Sequence, residues 1–193
     1  MKLSTSSVIL AFTLIPSLSF AANKYIVDSD ASSISFATIK KSYIVEPATL
    51  SSIKGNVDET GHFSITVPFS SLSTGIPIRD ERLNDLFFET KNFPMLSVEG
   101  TVSMADLDKA NALLQQAIPA KVTLFGNTQD VTLNMNIIKS EDDIFAFTYK
   151  PVIINGATFG IPAENLKKVA ETVGNIAISD TVPVNVNLVF REK

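Results

Sequence analysis

The 193-residue chain has no cysteine, no tryptophan and a single histidine. Without cysteine, no disulfide staples the fold and no thiolate serves as nucleophile or metal ligand. With one histidine, a zinc site would draw almost wholly on carboxylates, an unusual donor set. A serine triad would have to use His62, which falls on the wet face of a strand beside a turn, and no Gly-x-Ser-x-Gly elbow is present. The stretch "NGATFG" has two glycines but no lysine and no parallel-sheet context, so it is not a phosphate loop. The acid run Glu141, Asp142, Asp143 reads as a solvated turn. These absences point away from an enzyme and imply no cofactor and no metal site. The net charge of −4 lacks the basic face that nucleic acid requires, and it argues against electrostatic docking on anionic headgroups.

Long hydrophobic runs are also missing, except at the start. Lys2 precedes an apolar run over residues 8–18, interrupted by Pro16. Then comes "SLSFAANKY", with the small residues Ser19 and Ala21 before a cleavage point. This order of charge, apolar stretch and small-residue exit predicts a secretory signal peptide over residues 1–21 and a mature domain over 22–193. The run is too short for a membrane-spanning helix, which takes about 20 residues. The expected product is an exported soluble protein or a barrel in an outer membrane. Against the second, the chain has no tryptophan and only 3 tyrosines with which to build interfacial girdles.

What the mature chain does contain is period-two alternation. Ile34, Phe36 and Thr38 alternate with Ser33, Ser35 and Ala37, and Phe63, Ile65, Val67 and Phe69 alternate with His62, Ser64, Thr66 and Pro68. Val182, Val184, Val186, Leu188 and Phe190 share one face of the last strand. Such alternation marks sheets with one dry and one wet face, and many short strands with turns between them predict a sandwich or barrel. Turns are expected at "DETGH" and "GNTQD". Two helical stretches interrupt the pattern. "MADLDKANALLQQA" carries a stripe of Leu107, Ala110, Leu114 and Ala117. "PAENLKKVAETVGN" carries Leu166, Val169, Ala170 and Val173, with Pro162 at its start and Gly174 past its end. On a β protein, short amphipathic helices of this kind plug a barrel end or pack outside it. A closed sheet of about eight strands holds either a packed core or one small ligand. Periodicity alone leaves both open.

The stretch "STGIPIRDERLNDLFFETKNFP" breaks the strand pattern with Arg79, Asp80, Glu81, Arg82 and Asp85 ahead of Phe87, Phe88 and Phe93. It reads as a charged and aromatic lid loop. Its order of Arg79-Asp80, Leu83, Phe87-Phe88 and Phe93-Pro94 resembles the YceI-like polyisoprenoid-binding family of exported bacterial proteins. "YIVDSDASSISF", "VTLFGNTQDVTL" and "NGATFGI" resemble further family motifs in the same order. Ala31 and Arg82 stand where the family carries histidines, and Thr158 where it carries an acid.

The resemblance implies an all-β fold: a lipocalin-like antiparallel β-barrel of about eight strands with one or two short amphipathic helices. It implies a periplasmic or secreted protein that holds a polyisoprenoid, an isoprenoid quinone or another long-chain lipid for carriage, storage or sequestration. No stable membrane insertion is implied, and homodimerisation stays open. Phe36, Phe63, Ile65, Val67, Phe69, Val184, Val186 and Leu188 become candidate wall residues, with Phe87 and Phe88 at the mouth. Arg79, Asp80 and Arg82 become candidates for a headgroup or for fixing the lid. The competing expectation is a structural or interaction barrel with a packed core and no lipid. On that view the charges only organise a turn, worth about 0–1 kcal/mol as a surface pair.

Overall fold

The computed structural model describes residues 23–110 and 113–193. The expected signal peptide lies outside the described residues. The order of elements is β1 (Asn23–Val27), β2 (Ser33–Lys40), β3 (Ile44–Leu50), β4 (Lys54–Asp58), β5 (His62–Pro68), α1 (Pro77–Arg82), β6 (Met95–Thr101), α2 (Met104–Lys109), β7 (Leu114–Leu124), β8 (Asn127–Lys139), β9 (Asp143–Thr148), β10 (Val152–Asn155), α3 (Ala163–Glu171) and β11 (Thr181–Glu192).

All pairings are antiparallel, and β1-β4-β5-β6-β7-β8-β9-β11 closes on itself where β11 meets β1, giving an 8-stranded barrel. β11 is long enough to serve two partners on each side. Its first half pairs with β10 (Val152↔Val184) and β2 (Ile34↔Val186), and its second with β9 (Ile144↔Phe190) and β1 (Val27↔Phe190). So β1 with β2, and β9 with β10, are each one barrel strand broken in the middle. At the first break, the Asp28 carboxylate accepts from the Asp30 and Ala31 amides, both at 3.2 Å. The buried Ser32 hydroxyl takes the Val189 amide at 3.0 Å, so the interrupted ladder leaves that donor satisfied.

Inside, the period-two faces meet as expected. Phe63 stands opposite Gly100, and a Cβ on Gly100 would lie 2.5 Å from the Phe63 ring. The glycine makes room for the largest inward side chain of β5. The β7–β8 turn is tighter than expected. It consists of Phe125 (φ 52°) and Gly126 (φ 72°) alone, joining Leu124 to Asn127. Two left-handed residues match the twist of a two-residue hairpin, so Asn127 to Asp130 already belong to β8. Phe125 accepts the strained backbone while its ring packs on Phe93, centroids 4.1 Å apart.

The helices differ more from expectation. α2 ends at Lys109, and Leu114 and Ala117 are strand residues of β7, paired with Ile137 and Asn134. Eleven registered pairs with β8 outweigh the helix preference of Leu-Gln-Gln-Ala. Ser103 caps α2, its hydroxyl accepting the Asp106 amide at 3.2 Å. The charged lid stretch, in turn, contains a helix, α1, with Pro77 at its first turn. α3 follows its expected stripe, with Pro162 as the residue before its first turn. Among the described residues no helix is long and apolar enough to cross a membrane.

Candidate functional site: an apolar cavity open at one end

The barrel interior is not filled. A cavity of about 280 Å³ occupies the half nearest α1 and α3, and a smaller one of about 90 Å³ the half nearest α2. Ile34, Val98, Leu133 and Val186 belong to the walls of both, so the two lie end to end along the barrel axis. α2 forms the floor. Leu107, only 2% exposed, projects from it into the small cavity's wall.

Of the expected wall residues, Phe36, Phe69, Val184 and Val186 line the large cavity. Phe63, Ile65 and Leu188 line the small one. Val67 lines neither. It is 0% exposed and belongs to the hydrophobic core around them. It alternates with Ile65 and Phe69 and shares their inward direction, and its register partner Leu96 lines the large cavity.

Phe87 and Phe88 line the large cavity at its mouth. They get there through a distortion. After α1 the chain makes one wide turn over residues 83–87, in which the Phe88 amide donates to the Leu83 carbonyl at 2.9 Å. This bond spans one residue more than an α-helical bond. Phe88 stacks on Phe69 (4.3 Å, 21°) and meets Phe87 edge-on (4.8 Å, 77°), both favourable ring geometries. Asn165 of α3, 2% exposed, donates to the Phe87 carbonyl at 3.2 Å and to Glu89 Oε1 at 2.9 Å. One buried amide therefore ties α3 to the wide turn.

The charged residues separate into two roles. Asp80 is not on the wall. Its carboxylate accepts from the Thr74 amide at 2.8 Å and from the Thr74 hydroxyl, which fixes the entry to α1. Arg79 and Arg82 do line the cavity. Arg79 Nη2 donates to Glu46 Oε1 at 2.8 Å, and Glu46 also pairs with Lys40, another wall residue. These three side chains, from α1, β3 and β2, are each less than a quarter exposed. They clamp the β2–β3 hairpin to α1 across the rim.

Sequence reasoning did not name Lys40, Glu46 or Asn165. Glu46 meets Arg79 across 33 residues of chain, Lys40 joins them through Glu46, and nothing local marks either. The wall also takes Leu166 and Val169 from α3 and Val173 from the turn after it. That stripe is visible in the sequence, but its target is not.

The chain is an antiparallel eight-stranded calyx with a helix at one end and an apolar cavity large enough to admit a small ligand. The chain matches the YceI-like domain over residues 25–190 and belongs to the YceI-like family. Among solved structures it is similar to a polyisoprenoid binding domain from Saccharophagus degradans implicated in plant cell wall breakdown. The TM-score is 0.84 at 22% identity, over 89% of this chain and 100% of that one. It is also similar to BcnA of Burkholderia cenocepacia, with a TM-score of 0.64 at 14% identity over 84% of this chain and 98% of that one. These likenesses establish the barrel fold. No curated protein sequence matches the chain.

Proposed function

We propose that this protein binds one long apolar lipid, a polyisoprenoid or isoprenoid quinone, inside its barrel and is exported to carry, store or sequester it. The observation that carries this reading is the pair of stacked cavities with a floor at α2 and a mouth at α1 and α3. Their walls are almost wholly aliphatic and aromatic, and the charges gather at the rim. A chain-like apolar ligand suits such a space better than a compact polar one. Each five-carbon unit taken from water gains roughly 4 kcal/mol at about 0.8 per carbon. Association costs about 4–15 kcal/mol before any affinity appears. One unit therefore binds poorly, and several in line bind well without a specific polar contact. The similar Saccharophagus degradans domain is described as polyisoprenoid binding, which supports the same ligand class. The signal-peptide pattern of residues 1–21 supports export to the periplasm or beyond, and the cavity supports binding without catalysis.

Solvent extraction of the purified protein followed by mass spectrometry tests the proposal. A stoichiometric isoprenoid is expected. An apoprotein that also refuses added polyprenols and quinones would sink it and leave a barrel that serves only as an interaction module.

A further inference from the structure

The rim of the large cavity carries apolar side chains that face water. Ile76 and Ile78, at the start of α1, line the cavity and are still 43% and 50% exposed. Beside them the β2–β3 hairpin ends in Tyr43, 75% exposed, and Val45, 62% exposed. The two elements belong to one rim, because the Lys40–Glu46–Arg79 clamp joins them. The hairpin tip is also fastened to the segment before β11: the Lys41 amide donates to the Ala177 carbonyl at 2.8 Å. Lys41 (φ 51°) and Ser42 (φ 66°) are both left-handed without being glycine, so the tip is held in a specific, costly shape.

Resting on the carrier reading above, we propose that this rim is a membrane-docking surface: Tyr43, Val45, Ile76 and Ile78 enter the interfacial layer of a bilayer and bring the cavity mouth against it. Three observations select a bilayer as the occupant. First, Ile76 and Ile78 line the cavity and are also about half exposed, so apolar surface reaches from the interior to the outside beside the charged clamp. Second, the composition suits an interface. Tyr43 offers a ring and a hydroxyl, and Lys41 and Arg82, which are not part of the Glu46 clamp, carry long stems beside the apolar groups. Third, pairing with a second copy through the free edge of β3 is obstructed, because Pro47 follows Val45 by two residues and has no amide to give.

Charge plays the smaller part. Glu46 is taken up by Lys40 and Arg79, but Glu81 on α1 and Asp180 on the cavity wall offset the remaining cations. Docking is thus driven by apolar insertion, in keeping with the chain's net charge of −4, and gains only a few-fold from anionic lipid.

The test is flotation of the purified protein with vesicles of phosphatidylcholine alone and of phosphatidylcholine with phosphatidylglycerol. The wild type and the Tyr43→Ser/Val45→Ser double variant are compared, and retention of an added long-chain polyprenol is measured in parallel without vesicles. Neither substituted side chain lines either of the two barrel cavities. Expected results are flotation with both vesicle types, about tenfold weaker flotation of the variant, and equal polyprenol retention by both proteins. A wild type that stays at the bottom of the gradient overturns docking. So does a variant that floats as well as the wild type, or a wild-type dimer that the substitutions make monomeric. A wild type that floats yet retains no polyprenol supports docking and overturns the carrier reading instead.

Discussion

At the α2 end of the barrel, Leu107 is driven almost fully out of water against Val102, Ile118 and their neighbours in the wall of a cavity of only about 90 Å³. At the other end, Ile76 and Ile78 remain about half exposed beside a cavity of about 280 Å³. Both ends use a six-residue helix, α2 in one case and α1 in the other. The difference lies in what each helix has to cover. α2 is capped by Ser103 and buries Leu107, with Met104 packed beside it, against the barrel core. α1 reaches its place through the Arg79–Glu46 ion pair and a turn fixed by Asp80, and it leaves the interior open. Stability is concentrated at the floor, and the capacity to admit a ligand at the mouth.

The largest test of this contrast is Leu107→Ala. Truncating a buried leucine costs about 2–5 kcal/mol, read from urea unfolding, with no loss of retained lipid. Ile78→Ala, at a half-exposed position, is expected to change stability by less than about 0.5 kcal/mol. Equal losses at the two positions would erase the distinction between floor and mouth.

Val67 and Val186 sharpen it along the barrel axis. Val67→Phe adds a ring at a fully buried position that lines neither cavity, and is expected to cost about 1–3 kcal/mol while leaving lipid uptake intact. Val186→Phe projects a ring into the wall shared by both cavities, where there is room. It is expected to lower uptake of a long polyprenol more than that of a short one, with a smaller stability loss. Uptake measured by extraction separates the two, and loss of uptake in the Val67 variant would restore it to the cavity wall.

The barrel itself was legible because inward and outward residues alternate along β5, β8 and β11. What alternation cannot show is how far the opposite wall stands. Val67 and Val184 look alike in sequence, yet one is packed and the other borders the cavity. β7 was half hidden because its first residues, Leu114 to Ala117, favour helix locally, and its strand character comes from β8. α1 was hidden because its order depends on Glu46, far away in the chain, and on Thr74 binding Asp80. The lid was legible as a place. Its fastening by Asn165 was not, because an asparagine on an amphipathic helix gives no sign that its amide will meet a backbone carbonyl on another element.

That fastening gives the next prediction. Asn165→Ala leaves the Phe87 carbonyl without its donor and is expected to cost about 1–3 kcal/mol. Hydrogen exchange should quicken at the amides of residues 83–89, with the α2 amides unchanged. Uniform quickening over the whole barrel would mean that mouth and floor open as one unit.

The smallest effect expected concerns pH, and it falls on the floor. Hydrogen bonding to Lys139 holds the Asp108 carboxyl of α2 below its usual range. The Arg191 guanidinium does the same for Asp28, and the Thr60 hydroxyl for Asp58 in the β4–β5 turn. A carboxylate whose pKa is lower in the folded chain binds protons more readily when unfolded. Its contribution is complete above the ordinary value of about 3.9 and disappears as pH falls through the folded value. Lys139 is shifted upward by the same pair, so its contribution persists to the alkaline side of its usual range. The floor is therefore expected to hold at neutral pH and to loosen first on acidification below about pH 4. Because these groups are at the surface, the change is small and calls for exchange rates rather than a melting curve. Acidification should speed exchange at the amides of α2 in the wild type, beyond the intrinsic pH dependence of exchange. In Asp108→Asn that excess should shrink, since the substituted residue no longer titrates. An excess of the same size in both proteins would show that α2 is held by Leu107 and its Ser103 cap alone.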